Sequence, residues 1–143
     1  RLNDYRLVYI ALNFDMEGAR ALVASYPMQL SVNEIYKVAG SYERGSAEYN
    51  RALEVAALTY PEDVAAAVNY AQKQVEKGDM EGALKTLNKT KQESAEVQAV
   101  KGYVYLQMQE YDKAREALTK AVDLGSEDAK HNLEEMEKHL ASI

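Results

Sequence analysis

Residues 95–128 read AEVQAVKGYVYLQMQEYDKAREALTKAVDLGSED, and the fold turns on how these 34 residues are punctuated. Ser94 can cap a helix that runs through Met108. A second helix runs from Tyr111 to Asp123 and ends at Gly125. Gly102 and Ala114 are small residues placed to face each other where the two backbones approach. Leu118 and Tyr105 fill the space beside that contact, and Ala121 leaves room for the first helix of a following pair. One such pair cannot bury its own apolar stripe, so the pattern predicts stacked pairs.

Upstream, residues 64–94 repeat the arrangement in 31 residues, with Ala71, Ala83, Leu87 and Thr90 at the matching places and KGDMEGA (77–83) as the turn. Residues 30–63 follow it less closely: Leu53, Ala56 and Pro61 agree, whereas Lys37 and Tyr49 stand where small residues are wanted. Further cap and stop signals complete the reading. Asp15 opens a helix to Ser25 that Pro27 stops. Ser31 opens one to about Tyr42, and Ser46 one to Tyr60. Pro61 suits the first turn of a helix from Glu62 to Lys77, and Asp79 caps one from Met80 to about Thr90. Ser126 caps a last helix to about Ala141. Eight helices joined by short connections imply antiparallel neighbours. Before them, Tyr5–Phe14 (YRLVYIALNF) is rich in β-branched and aromatic residues and reads as a strand.

The 34-residue segment resembles the tetratricopeptide repeat, whose pattern has a small residue at position 8, an aromatic at 11, alanine at 20, a large apolar residue at 24 and alanine at 27. Gly102, Tyr105, Ala114, Leu118 and Ala121 match those positions. The resemblance implies an all-α, antiparallel helix-pair solenoid. Its parts are an N-terminal strand and helix (1–29), three repeats (30–63, 64–94 and 95–128) and a capping helix (129–143). In that cap Leu133, Met136 and Leu140 should face inward, and Lys130, Glu134 and Lys138 outward. It also implies a non-catalytic scaffold that binds a protein or peptide on the inner face of the first helices. Positions 2, 5, 6, 9 and 13 are Ala65, Val68, Asn69, Gln72 and Glu76 in one repeat, and Glu96, Ala99, Val100, Tyr103 and Gln107 in the next. Of these, Asn69, Gln72, Glu76, Glu96, Val100, Tyr103 and Gln107 are the expected partner-binding residues. None of the ten is Lys or Arg, so the carboxylate clamp of some family members is not carried over, and the groove is expected to be neutral and partly apolar.

A second resemblance concerns residues 1–63. The run QLSVNEIYKVAGSYERGSAEYNRALEVAALTYPED (29–63) is similar to the helical region that follows the outer-membrane-protein-A-like domain of some bacterial envelope proteins. It implies an alternative role as an envelope-structural region tethered to a cell-wall-binding domain, in the periplasm or at the outer membrane. Without it a cytoplasmic location stands. Opening on Arg1 rather than Met, the sequence reads as a piece of a longer protein. A strand severed from its own sheet predicts a homodimer through residues 4–14.

Composition narrows the function classes. The formal net charge is −6 and the pI about 5.0, which argues against nucleic acid, whose phosphates demand Lys and Arg. Cysteine is absent, which removes thiolate chemistry and Cys-ligated zinc. No apolar run approaches the roughly 20 residues of a membrane span, so direct membrane insertion is not expected. The two histidines, His131 and His139, flank Glu135 at four-residue spacing. That spacing can chelate a metal, but a capping helix carries such residues on its solvated face as a matter of course. With no fourth ligand and no nucleophile–base pair in sight, neither metal, cofactor nor enzymatic activity is expected.

Overall fold

A computed structural model describes residues 15–143, and all of the regular structure among them is helical. The helices are α1 (Met16–Ser25), α2 (Val32–Gly40), α3 (Ala47–Thr59), α4 (Val64–Glu76), α5 (Met80–Asn88), α6 (Ala95–Gln107), α7 (Tyr111–Asp123) and α8 (Glu127–Ala141), with a 3₁₀ turn at Pro27–Gln29. The all-α helix-pair fold is as the sequence implies. The expected strand at Tyr5–Phe14 and the dimer contact through residues 4–14 lie outside the described residues.

The helix starts follow from side-chain capping. Asp15, Ser31, Ser46, Asp79, Ser94 and Ser126 each accept a hydrogen bond from the backbone N–H three residues on. Ser31 and Glu34 form a reciprocal capping box. One helix start differs from the reading. Asp63 caps α4 by accepting from Ala66 N–H at 3.0 Å, so the helix starts at Val64 and Pro61 lies in the turn before it. A carboxylate that can satisfy an orphan N–H fixes the start more firmly than a favourable proline φ. Helices α4, α6 and α7 close alike. The last carbonyls accept from residues one and two past the C-cap, and the first of these is left-handed: Gly78 (φ 85°), Gln109 (φ 61°) and Gly125 (φ 102°).

The described chain divides into two compact units, one ending at Tyr60 and one running from Pro61 to Ile143. In the first, α2 and α3 form a hairpin around a buried cluster of Ala39, Ala52 and Leu53, with Tyr36 and Tyr49 packed against it. Ala39 and Ala52 thus supply the small residues that Lys37 and Tyr49 do not; Lys37 is exposed, and Tyr49 is half-buried against the cluster. Arg20 of α1 holds the end of α2, donating to the Ser41 hydroxyl and carbonyl at 3.0–3.1 Å and lying 4.5 Å over the Tyr42 ring. Tyr60 donates to the Leu30 carbonyl, tying the end of α3 to the segment that leads into α2.

In the second unit α4 pairs with α5 and α6 with α7, and α8 packs on both α6 and α7. Val68, Ala71, Ala83, Leu87, Val97 and Val104 form one core cluster. Leu118, Ala121 and Ala129 form another, with Leu133 against it. Ala121 therefore sits where the next helix packs, as its place in the repeat requires. A Cβ on Gly102 would lie 2.4 Å from Leu118 Cδ2, so Leu118 packs directly on the glycine. On α8, Met136 is buried and Leu133 and Leu140 half-buried, while Lys130, Glu134 and Lys138 are exposed, so the inward and outward faces are as expected.

Candidate functional site

Helix α6 packs beside α4 on one side and α8 on the other, so three first helices lie in a row within this unit. Small residues make that row possible: Ala99 half-buried on α6 and Ala129 fully buried on α8 let the axes come close. The face left uncovered forms a recess of about 380 Å³, lined by Gln72, Val75 and Glu76 of α4, Ala99, Val100 and Tyr103 of α6, and Asp128 and Asn132 of α8. A second hollow of about 450 Å³ shares Gln72, Ala99, Val100 and Asp128 with it and extends to Val68, Ala95, Glu96 and Gly125–Glu127. Together they make one trough across α4, α6 and α8.

Of the seven partner-binding residues expected from the sequence, Gln72, Glu76, Glu96, Val100 and Tyr103 line this trough. Asn69 and Gln107 line neither hollow; Asn69 is half-buried and Gln107 exposed. The sequence reading missed the third wall. Asp128 and Asn132 belong to α8, which the sequence pattern presents only as a cap. Their four-residue spacing on one helix face was the available signal.

That third wall also changes the charge. The trough is not neutral: Glu76, Glu96, Glu127 and Asp128 line it, and no Lys or Arg does. Glu76 pairs with Lys73 at 3.4 Å. The floor is apolar, and Tyr103 stands in it with 42% of its surface exposed.

The two histidines lie outside the trough. His131 and His139 are both exposed, Glu135 pairs with Lys138 at 3.4 Å, and the His139 ring lies 6.1 Å from that of Tyr111. Among the described residues no three His, Cys, Asp or Glu side chains converge on a point that could hold a metal ion, and no helix is long and apolar enough to cross a membrane.

Residues 28–140 match the family model of a tetratricopeptide repeat-like domain. Among solved structures, the crystal structure of MamA superposes with a TM-score of 0.60 at 15% identity, covering 90% of this chain and 90% of that one. At that identity the likeness is one of fold. No curated protein matches the chain.

Proposed function

Because the chain belongs to the tetratricopeptide repeat-like family, which its residues 28–140 match, we propose that it is a non-catalytic protein-interaction module that grips its partner in the trough across α4, α6 and α8. The observation that carries this reading is Tyr103, a large aromatic left 42% exposed over an apolar floor inside a concave surface. A Tyr in that position offers a large rigid contact area with a polar tip, which is why tyrosine is enriched where binding energy concentrates. Of the six large apolar residues left exposed among the described residues, Tyr103 is the one that lines the trough.

The test is site-specific photo-crosslinking. A photoreactive residue at Tyr103 or Val100 should capture the same partner. The same residue at the exposed Thr119 of α7 should not. Excess unlabelled protein should compete for that adduct, and excess Val100→Arg protein should not. Capture from Thr119 alone, or equal competition by both proteins, would overturn the assignment of the surface.

A further inference from the structure

We propose that the segment bound in this trough is basic and amphipathic, with Lys or Arg side chains interleaved with apolar ones; the inference rests on the trough being the interaction surface. Two features of the surface point to that chemistry. The floor supplied by Val75, Ala99, Val100 and Tyr103 takes apolar side chains out of water. The rim supplied by Glu96, Glu127 and Asp128 is anionic, and no Lys or Arg of the lining answers it.

Each of the three acids also has a local reason to stand where it does. Each sits in the first turn of its helix, Glu96 on α6 and Glu127 and Asp128 on α8, where a negative charge is favoured by the helix dipole. That accounts for each residue singly. It does not account for their convergence on one hollow, nor for the lack of a cation beside them. Among the described residues no ion pair involves Glu96, Glu127 or Asp128, whereas on the neighbouring α7 Asp112 is paired with Arg115 and Glu116 with Lys120, both at 3.4 Å. Three carboxylates around a shallow low-dielectric floor reinforce one another's field. An incoming cation relieves that repulsion, while an acidic segment adds to it. Nothing in the arrangement gathers the acids tightly enough for a metal ion, and the trough runs across three helices, so an extended or helical stretch of chain fits better than a single ion.

The experiment uses the whole chain and three fluorescein-labelled peptides of about a dozen residues: one alternating Lys and Leu, one Glu and Leu, one Lys and Ser. Anisotropy measures affinity, and amide shifts of the ¹⁵N-labelled protein report location. The Lys/Leu peptide should bind, moving the amides of Val100 and Tyr103 and of the first turn of α8. Its affinity should fall about tenfold in the Glu96→Gln, Glu127→Gln, Asp128→Asn triple variant, three exposed charges each contributing modestly. It should fall similarly in about 0.5 M NaCl. Far-UV circular dichroism checks that the triple variant is folded.

If the Glu/Leu peptide binds the same residues as tightly, the charge inference is wrong while the interaction surface stands. Equal binding of the Lys/Ser peptide removes the apolar half of the proposal. Full affinity in the triple variant, or no binding of any peptide, overturns the proposal and leaves the surface to the crosslinking result. Lys/Leu binding with all shifts outside α4, α6 and α8 overturns both.

Discussion

The hairpins α4–α5 and α6–α7 reach the same geometry by different means. Both turn in three residues and close through the same pair of backbone hydrogen bonds: Asp79 N–H to Gln74 O and Gly78 N–H to Val75 O in one, Glu110 N–H to Tyr105 O and Gln109 N–H to Leu106 O in the other. In α4–α5 the local chemistry suits the turn. Gly78 takes the left-handed position without a Cβ penalty, Asp79 caps the next helix, and the Thr86 hydroxyl donates to the Gln74 side chain at 2.6 Å across the pair. In α6–α7 the left-handed residue is Gln109, and Glu110 makes no side-chain cap. That hairpin is instead drawn together by contact, with Gly102 against Leu118. The pair teaches that one repeat can be specified either by its turn or by its crossing, and that a good match to the repeat pattern does not say which.

The largest effects are expected at the crossing. Leu118 and Leu87 are both 0% exposed, so Leu→Ala at either should cost about 2–5 kcal/mol. An added atom at the position-8 glycine of α6 should also be costly. Gly102→Ala drives a Cβ to within 2.4 Å of the Leu118 side chain and should destabilise by about 1–3 kcal/mol, despite the helix propensity gained. Combined with Leu118→Ala, which vacates that space, it should cost less than the sum, with a coupling of about 0.5–3 kcal/mol by urea denaturation. Gly40→Ala in α2, whose Cβ would meet nothing within 4 Å, should instead stabilise by about 0.5–1 kcal/mol. Strict additivity at 102 and 118 would mean that the crossing does not define the α6–α7 hairpin.

How much of this was legible follows from where the information sits. Six caps and the Leu118, Ala114 and Ala121 positions are local or periodic features, and a single sequence displays both. How tightly Leu118 packs on Gly102 was not legible, because spacing shows which residues are small but not how close a helix rotation brings their neighbours. In the first hairpin the small pair moved to Ala39 and Ala52 across a longer connection, Ser41–Ser46, so a fixed register met Lys37 and Tyr49 instead. The trough was half legible. Its α4 and α6 walls follow from the repeat register, but α8 lies beyond the last repeat, and its Asp128 and Asn132 join the site only through the packing of α8 on α6.

The turn offers the next test, at smaller magnitude. Gln109→Gly should stabilise by about 1 kcal/mol by relieving a left-handed residue, and Gly78→Gln should lose about as much. Glu110→Asp should gain about 0.5–1 kcal/mol by recreating the Asp79 cap, since the two residues share nearly the same backbone angles: φ −92° and ψ 76° against φ −90° and ψ 75°. The ion pair of Glu110 with Lys113 is exposed and contributes little by comparison. If both substitutions in α6–α7 leave the thermal midpoint unmoved, the turn is immaterial there and the crossing alone sets the geometry.

The smallest effect comes from the charge beside the crossing. Lys101 precedes Gly102, and the close approach leaves it half-buried; the same place on α4 is held by Tyr70, a phenol rather than an ammonium. Burial pushes the Lys101 pKa below its ordinary 10.5, the nearby Lys120 pushes it the same way, and Glu93 opposes both. A lysine whose folded pKa is lowered gives up protons more readily folded than unfolded. Its charge therefore weakens the fold throughout the neutral range, and stability is regained as pH rises through the folded value towards 10.5. Lys101→Gln should accordingly raise the urea midpoint at neutral pH, and its advantage should shrink as the pH climbs through that window. Lys120→Gln should give part of the same gain, whereas Glu93→Gln should deepen the penalty. Urea midpoints for the three variants, measured from neutral pH to about pH 10, check this. A pH-independent advantage for Lys101→Gln would assign the effect to packing at the crossing rather than to charge, and Tyr70 on α4 would then differ from Lys101 in shape alone.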